Sequence, residues 1–167
     1  MQSPEINISE TANKIESIQP SPEARTAAVA ALASEFHEVW REARRRDDGS
    51  YEPRIKPTKD EAWIAQHGTD QVDIANTRYV DLPTDWQAEN EAAAGFLVDE
   101  LSTYSEFPDL EDPEVRSEIG EDIHEAWLDR NEWADGTELD VPFEQLSMEE
   151  QEKDIDQAEI AEEVFSR

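Results

Sequence analysis

The chain has 167 residues, of which 43 are acidic and 14 are basic, so its formal net charge is −29 at pH 7. This length fits one compact domain, or one domain built from two short repeats. Because the sequence has no cysteine, disulfides, thiolate metal sites and a cysteine nucleophile are excluded. Its five glycines form no cluster, which excludes a phosphate-binding loop and a dinucleotide-binding fingerprint. The excess of carboxylates argues against direct binding of nucleic acid or anionic lipid.

The sequence also predicts where the protein works. No apolar run approaches the roughly 18 residues of a membrane-spanning helix. The first residues lack the basic and apolar blocks of a secretory signal. We therefore expect a cytoplasmic protein that does not engage membranes.

The first third of the chain predicts an arm, a long helix and a loop. Residues 1–20 show no sustained apolar period and are predicted to be a flexible arm. Ser21 followed by Pro22 predicts a helix start, because Ser caps helices well and Pro suits the first helical position. This helix is expected to end near residues 47–49, and residues 49–58 are predicted to form an extended loop.

The middle of the chain predicts two capped helices with a short strand between them. Thr58 to Glu61 has the pattern of a capping box, predicting a short helix that Gly68 closes. A short strand is expected around Val72–Ile74. Thr84 and Gln87 form a second capping-box pattern, predicting a longer helix through residue 101.

The last third predicts two further helices. Residues 102–112 are expected to be a linker, and Asp112 before Pro113 predicts the next helix start. Residues 132–142 are predicted to be a loop, with an extended piece at 139–141. Ser147 and Glu150 form a third capping-box pattern, which predicts the last helix.

An internal repeat organises these elements. The segment 36–40 (Phe-His-Glu-Val-Trp) recurs at 123–127 (Ile-His-Glu-Ala-Trp), and an aromatic-x-x-Leu segment at 79–82 recurs at 143–146. Each copy is predicted to be a helix, a loop with an extended piece, and a capped helix. The predicted fold is therefore mainly α, with two pseudo-symmetric helix–loop–helix repeats packed as one domain. Repeat 1 covers 21–101, including an insert, and repeat 2 covers 113–167.

The repeat resembles the RyR domain, the repeat of ryanodine receptors that also occurs in bacterial and phage proteins. Copy 2 carries the family's His-Glu-x-Trp at 124–127, with Arg130 after it, and its Val-Pro-aromatic-x-x-Leu-Ser at 141–147. Copy 1 carries His-Glu-Val-Trp at 37–40, with Arg44 after it. The resemblance implies a non-catalytic, mainly helical cytoplasmic module. It also implies a nucleotide-derived ligand, of the kind attributed to microbial members of the family.

The sequence singles out no catalytic residue, metal site or cofactor site. A zinc-protease helix needs a second His four residues after the first, where this chain has Arg41 and Leu128. The two repeated His residues are instead expected to bond the backbone of a packed loop. With 43 acids in the chain, no pair of carboxylates stands out for hydrolysis.

A ligand site is predicted beside the one basic segment of the chain. Seven cations lie between residues 41 and 59, and they suit either a solvated helix end or the wall of a pocket for an anion. An aromatic ring beside cations suits a nucleotide or another planar anion, and nearby amides would add hydrogen bonds. The predicted ligand-binding residues are Arg44, Tyr51, Arg54, Lys56, Trp63, Gln87 and Asn90.

The acidity itself supports a different function. Carboxylates can imitate phosphates, so an acidic interaction or inhibitor protein could occupy a basic protein partner as a nucleic-acid mimic. Solubility or adaptation to high salt would explain the same composition without a partner. The sequence leaves these alternatives open beside the ligand-binding module.

Overall fold

The structure is a computed structural model that describes residues 21–166, so the arm predicted over 1–20 lies outside it. The chain is mainly helical, as predicted. The described residues contain five α-helices, a two-stranded sheet and four short 3-10 turns. The helices are α1 (Pro22–Glu42), α2 (Glu61–His67), α3 (Thr84–Leu101), α4 (Pro113–Arg130) and α5 (Met148–Phe165). No helix among residues 21–166 is both long and apolar enough to cross a membrane.

The described residues divide into two compact units, one formed by 29–94 and the other by 21–28 with 95–166. They are called here the 29–94 unit and the 95–166 unit. Each unit has its own set of buried apolar residues. The repeat boundaries at 21–101 and 113–167, and the packing of the two repeats as a pair, stay predictions.

The 29–94 unit contains the sheet. Strand β1 (Ile55–Pro57) pairs antiparallel with β2 (Gln71–Asp73), and Lys56 lies opposite Val72. The strand predicted around 72–74 is confirmed, one residue earlier than expected. Its partner β1 was not predicted as a strand and lies within the predicted extended loop. Three residues are too few to show the alternating pattern that identifies a strand. Helix α1 ends at Glu42, earlier than predicted, because the chain turns back so that Arg45 forms a β-bridge with Tyr51.

Two predicted capping boxes in this unit are wrong. The N-cap of α2 is Asp60, whose carboxylate accepts from the Trp63 N–H at 3.1 Å, whereas the Thr58 hydroxyl donates to Asp85. The Gln87 amide donates to the Tyr79 carbonyl oxygen and makes no capping contact. The predicted end of α2 is confirmed, since Gly68 has a φ of 74°, which favours glycine.

The 95–166 unit is built around α4 and α5, which pack together. Helix α4 also packs on the 3-10 turns Glu132–Ala134 and Phe143–Gln145. Asp112 and Ser147 are the N-caps of α4 and α5, as the sequence predicts. The extended piece expected at 139–141 is not a strand.

Candidate functional site

The repeated histidines have the same surroundings in both units. His37 is buried, its Nε2 lies 2.8 Å from the Thr77 carbonyl oxygen, and its ring stacks on Trp40 at 5.8 Å. In the 95–166 unit, His124 is buried with Nε2 at 3.0 Å and 2.9 Å from the carbonyl oxygens of Leu139 and Val141. The predicted structural role, a hydrogen bond to a packed loop, is confirmed for both.

The aromatic-x-x-Leu segments also have the same local structure. Each forms a 3-10 turn, Tyr79–Asp81 in one unit and Phe143–Gln145 in the other, and its aromatic side chain is buried. A glutamine from the following helix donates to a turn carbonyl oxygen in each case, Gln87 to Tyr79 and Gln151 to Glu144. These two short segments therefore share a local structure, while the repeat as a whole stays a prediction.

Part of the basic segment supports the fold. The Arg41 side chain is buried, donates to the Ala75 carbonyl oxygen and to Glu38, and lies 4.4 Å above the Tyr51 ring. The Arg44 guanidinium donates to the backbone oxygens of Glu52 and Pro53. The Tyr51 ring and the Arg44 guanidinium are therefore already held by neighbouring groups of the protein.

The remaining predicted site residues are dispersed. Arg54 is exposed beside β1, and half-buried Lys56 lies within that strand. The Gln87 amide donates to the Tyr79 carbonyl oxygen in the 3-10 turn before α3, and the Asn90 amide donates to the Trp86 carbonyl oxygen within α3. Of the seven predicted residues, Trp63 lies in one of the two grooves described below, and the other six line neither of them.

An open groove of about 790 Å³ lies in the 29–94 unit, between α2 and the segment 76–82. It is called here the Trp63 groove. The Trp63 and His67 rings stack at a centroid distance of 3.9 Å and an angle of 15°. The His67 Nδ1 lies 2.9 Å from the Trp63 carbonyl oxygen, which can only accept, so this nitrogen donates the hydrogen bond.

The charges in the Trp63 groove are Asp60, Asp81 and Arg78. The Asp60 carboxylate accepts from the backbone N–H groups of Trp63 and Thr84, and these hydrogen bonds lower its pKa. The Arg78 guanidinium is exposed and only loosely paired with Asp81, at 3.4 Å and 3.5 Å. Arg78 was not predicted as a site residue, because it lies outside the basic segment.

A smaller groove of about 340 Å³ lies in the 95–166 unit and is called here the Trp133 groove. Its aromatic rings are His124, Trp127 and Trp133, and α5 contributes Asp154 and Lys153. Sequence reasoning missed this site. Asp154 is one of 43 acids, and nothing in its sequence neighbourhood shows that it is buried.

Neither groove has the donors of a metal centre. Within residues 21–166, no group of three or more His, Cys, Asp or Glu side chains is arranged to hold a metal ion. Comparison with known proteins gives no match to a protein-family model, a curated protein or a solved structure.

Proposed function

We propose that this protein is a non-catalytic, cytoplasmic binding module of the RyR type, and that the Trp63 groove binds a small planar anion such as a nucleotide. The observation that carries the proposal is the stacked Trp63–His67 pair in the same open groove as the Arg78 guanidinium. The recurrence of the His–Trp and aromatic-x-x-Leu arrangements in both units supports the RyR assignment.

The groove offers the two interactions that a nucleotide needs. A base can stack on the aromatic pair, which supplies apolar area in a fixed orientation. A phosphate can form a bidentate, charge-assisted pair with the Arg78 guanidinium. Because Asp60 is already occupied by donors of the protein, Asp81 is the carboxylate that competes with the ligand for Arg78.

Replacing Arg78 with Gln should abolish nucleotide binding. The probes are AMP, ADP, ATP and inorganic phosphate, and the readout is the melting temperature. A ligand present at about 100 times its Kd stabilises a protein by about 2.7 kcal/mol, which corresponds to a rise of roughly 5–10 °C at this chain length. We expect this rise for at least one nucleotide and its loss in Arg78→Gln.

Arg45→Gln is the matched control. Arg45 is an exposed arginine of the same unit, and its ion pair with Glu42 at 3.3 Å has the same spacing along the chain as the pair of Arg78 with Asp81. This variant should keep the nucleotide response. No response of the wild-type protein to any nucleotide, or an undiminished response of Arg78→Gln, would contradict the proposal.

Replacing Asp81 with Asn should have the opposite effect. The substitution removes the carboxylate that pairs with Arg78 and repels an incoming phosphate. An exposed ion pair contributes about 0.2–1 kcal/mol, so we expect a two- to five-fold lower Kd for the nucleotide. Isothermal titration of wild type and variant at one ionic strength measures this change in Kd. Weaker nucleotide binding by Asp81→Asn would contradict the proposal that Arg78 binds the phosphate.

A second candidate function is an acidic interaction or inhibitor protein that engages a basic partner. It is favoured by a carboxylate cluster in the 95–166 unit, where Glu100 faces Asp122 and Glu118. Burial and these two neighbours raise the pKa of Glu100 to about 8, so this cluster holds a proton at pH 7 that a cation from a partner would displace. A basic protein that binds tightly at low salt and dissociates steeply as salt rises, with no response to nucleotides, would support this function over the first.

A further inference from the structure

The walls of the Trp133 groove form a rigid aromatic corner. The indole rings of Trp127 and Trp133 meet at 83° with centroids 5.6 Å apart, and Trp127 also stacks on His124. The Trp133 Nε1 donates to the Asn131 side chain at 3.1 Å, which fixes its ring although 66% of the residue is exposed. Two indole faces at a right angle can therefore contact one small ligand from two sides.

Asp154, which lies at the same groove, is buried without a hydrogen-bond donor. Only 8% of the residue is exposed, and the nearest basic group is His124, whose Nδ1 lies 3.9 Å away. The His124 Nε2 faces two carbonyl oxygens, which can only accept, so this nitrogen carries a proton. At 3.9 Å, the His124 Nδ1 is too far from the Asp154 carboxylate for a hydrogen bond. Within residues 21–166, no hydrogen bond to the Asp154 carboxylate is found.

A carboxylate in this state is costly, and a ligand can remove the cost. A buried acceptor without a donor loses its hydration and gains nothing in return. The pKa of Asp154 is raised to about 6, chiefly by burial; Glu150 and Glu121 also raise it, and His124 and Lys153 lower it. The Lys153 ammonium is already paired with Glu150 at 3.0 Å. A cation that enters the groove would balance the negative charge of Asp154.

We propose that the Trp133 groove binds an organic ammonium group, with the faces of Trp127 and Trp133 against its methyl groups and the Asp154 carboxylate against its charge. Aromatic faces around a carboxylate are the composition that recognises methylated ammonium groups, because the rings attract a cation without having to replace a tight hydration shell. A metal ion would need several oxygen ligands, whereas the groove offers the carboxylates of Asp154 and Glu150, and Glu150 is paired with Lys153. The site is separate from the Trp63 groove in residues and in ligand chemistry.

The methylated ammonium group could belong to a free small cation or to a trimethyllysine side chain on a peptide. Both sources are tested by titrating the wild-type protein with tetramethylammonium, choline and a trimethyllysine peptide. Tryptophan fluorescence reports the binding. Sodium and ammonium chloride at matched ionic strength, and the peptide with unmodified lysine, are the controls. A peptide that binds at least ten-fold more tightly than choline identifies the side chain as the source, and comparable affinities identify the free cation.

Variants of the groove test which residues bind the ammonium group. Asp154→Asn should weaken tetramethylammonium binding at least ten-fold, and Trp133→Ala should do the same by removing one wall. Asp154→Asn should also melt at a higher temperature than wild type, because a neutral amide costs less to bury than a carboxylate without a hydrogen bond, so a loss of binding in this variant is not a loss of folding. Two variants serve as controls. Asp156→Asn removes the same charge from an exposed position on α5, and Met148→Ala removes another exposed apolar side chain. Both variants should bind tetramethylammonium as tightly as wild type.

The proposal fails if sodium and tetramethylammonium at equal ionic strength give the same response, or if Asp154→Asn binds as tightly as wild type. Its failure is distinguishable from failure of the nucleotide site. Arg78→Gln lies in the other unit and should leave tetramethylammonium binding unchanged, and Asp154→Asn should leave the nucleotide response unchanged.

Discussion

Gly120→Ala is expected to lower the free energy of unfolding by about 1–2 kcal/mol, although alanine is the better helix former. Gly120 lies within α4, and a Cβ there would be 2.6 Å and 2.7 Å from two carbons of the Phe143 ring. Phe143 is 2% exposed, and its backbone N–H donates to Glu121 at 2.8 Å, so the ring has no room to withdraw. Overpacking of about 1–3 kcal/mol or more then exceeds the gain of about 1 kcal/mol from helix propensity.

Urea denaturation measures this effect, and a second helical glycine provides the control. Gly95 lies within α3, and the nearest atom to an added Cβ would be the flexible Arg25 guanidinium at 3.4 Å. Gly95→Ala should therefore stabilise the protein by about 0.5–1 kcal/mol. Adding Phe143→Leu to Gly120→Ala should recover part of the loss, since the smaller side chain frees the space. A Gly120→Ala variant as stable as wild type would show that Phe143 does not pack on α4 in this way.

A second large effect is expected from pH, because the protein should lose stability as the pH rises above 7. The pKa of Glu100 is about 8 in the folded chain and near its ordinary value of 4.5 when unfolded. The folded state therefore binds the proton more tightly, and the resulting stability is complete below about pH 4.5 and lost as the pH rises through about 8. After allowing for solvent around this half-buried group, we expect a loss of about 1 kcal/mol between pH 7 and 8.5.

The interval from pH 7 to 8.5 distinguishes the titration of Glu100 from the titrations of Asp154 and His37. Burial raises the pKa of Asp154 to about 6 and lowers that of His37, so both change their charge mainly below pH 7. Glu100→Gln should be more stable than wild type at pH 8.5 and should remove most of the loss. Glu125→Gln removes one charge from an exposed position and should lose as much stability over this interval as wild type. Stability that stays constant from pH 7 to 8.5 in wild type would contradict the buried cluster.

Local sequence signals determined the helix content of this protein, several helix starts and the contacts of the repeated histidines. Ser21, Asp112 and Ser147 identified three helix starts, because a capping side chain bonds the backbone within three residues of itself. The repeated His was correctly expected to bond a packed loop, since a His next to a helical Trp faces inward. The high helix content follows from the same signals, because helices are stabilised by neighbours that are close in sequence.

Contacts between distant residues were decided by the tertiary structure alone. Thr58 and Gln87 fit capping boxes by spacing, yet their side chains bond Asp85 and Tyr79, which only the folded chain brings near. The predicted ligand site was placed beside the basic segment 41–59, whereas the two proposed sites depend on Arg78 and Asp154. Arg78 and Asp154 differ from the other charged residues in their surroundings in the folded chain. No local sequence pattern encodes those surroundings.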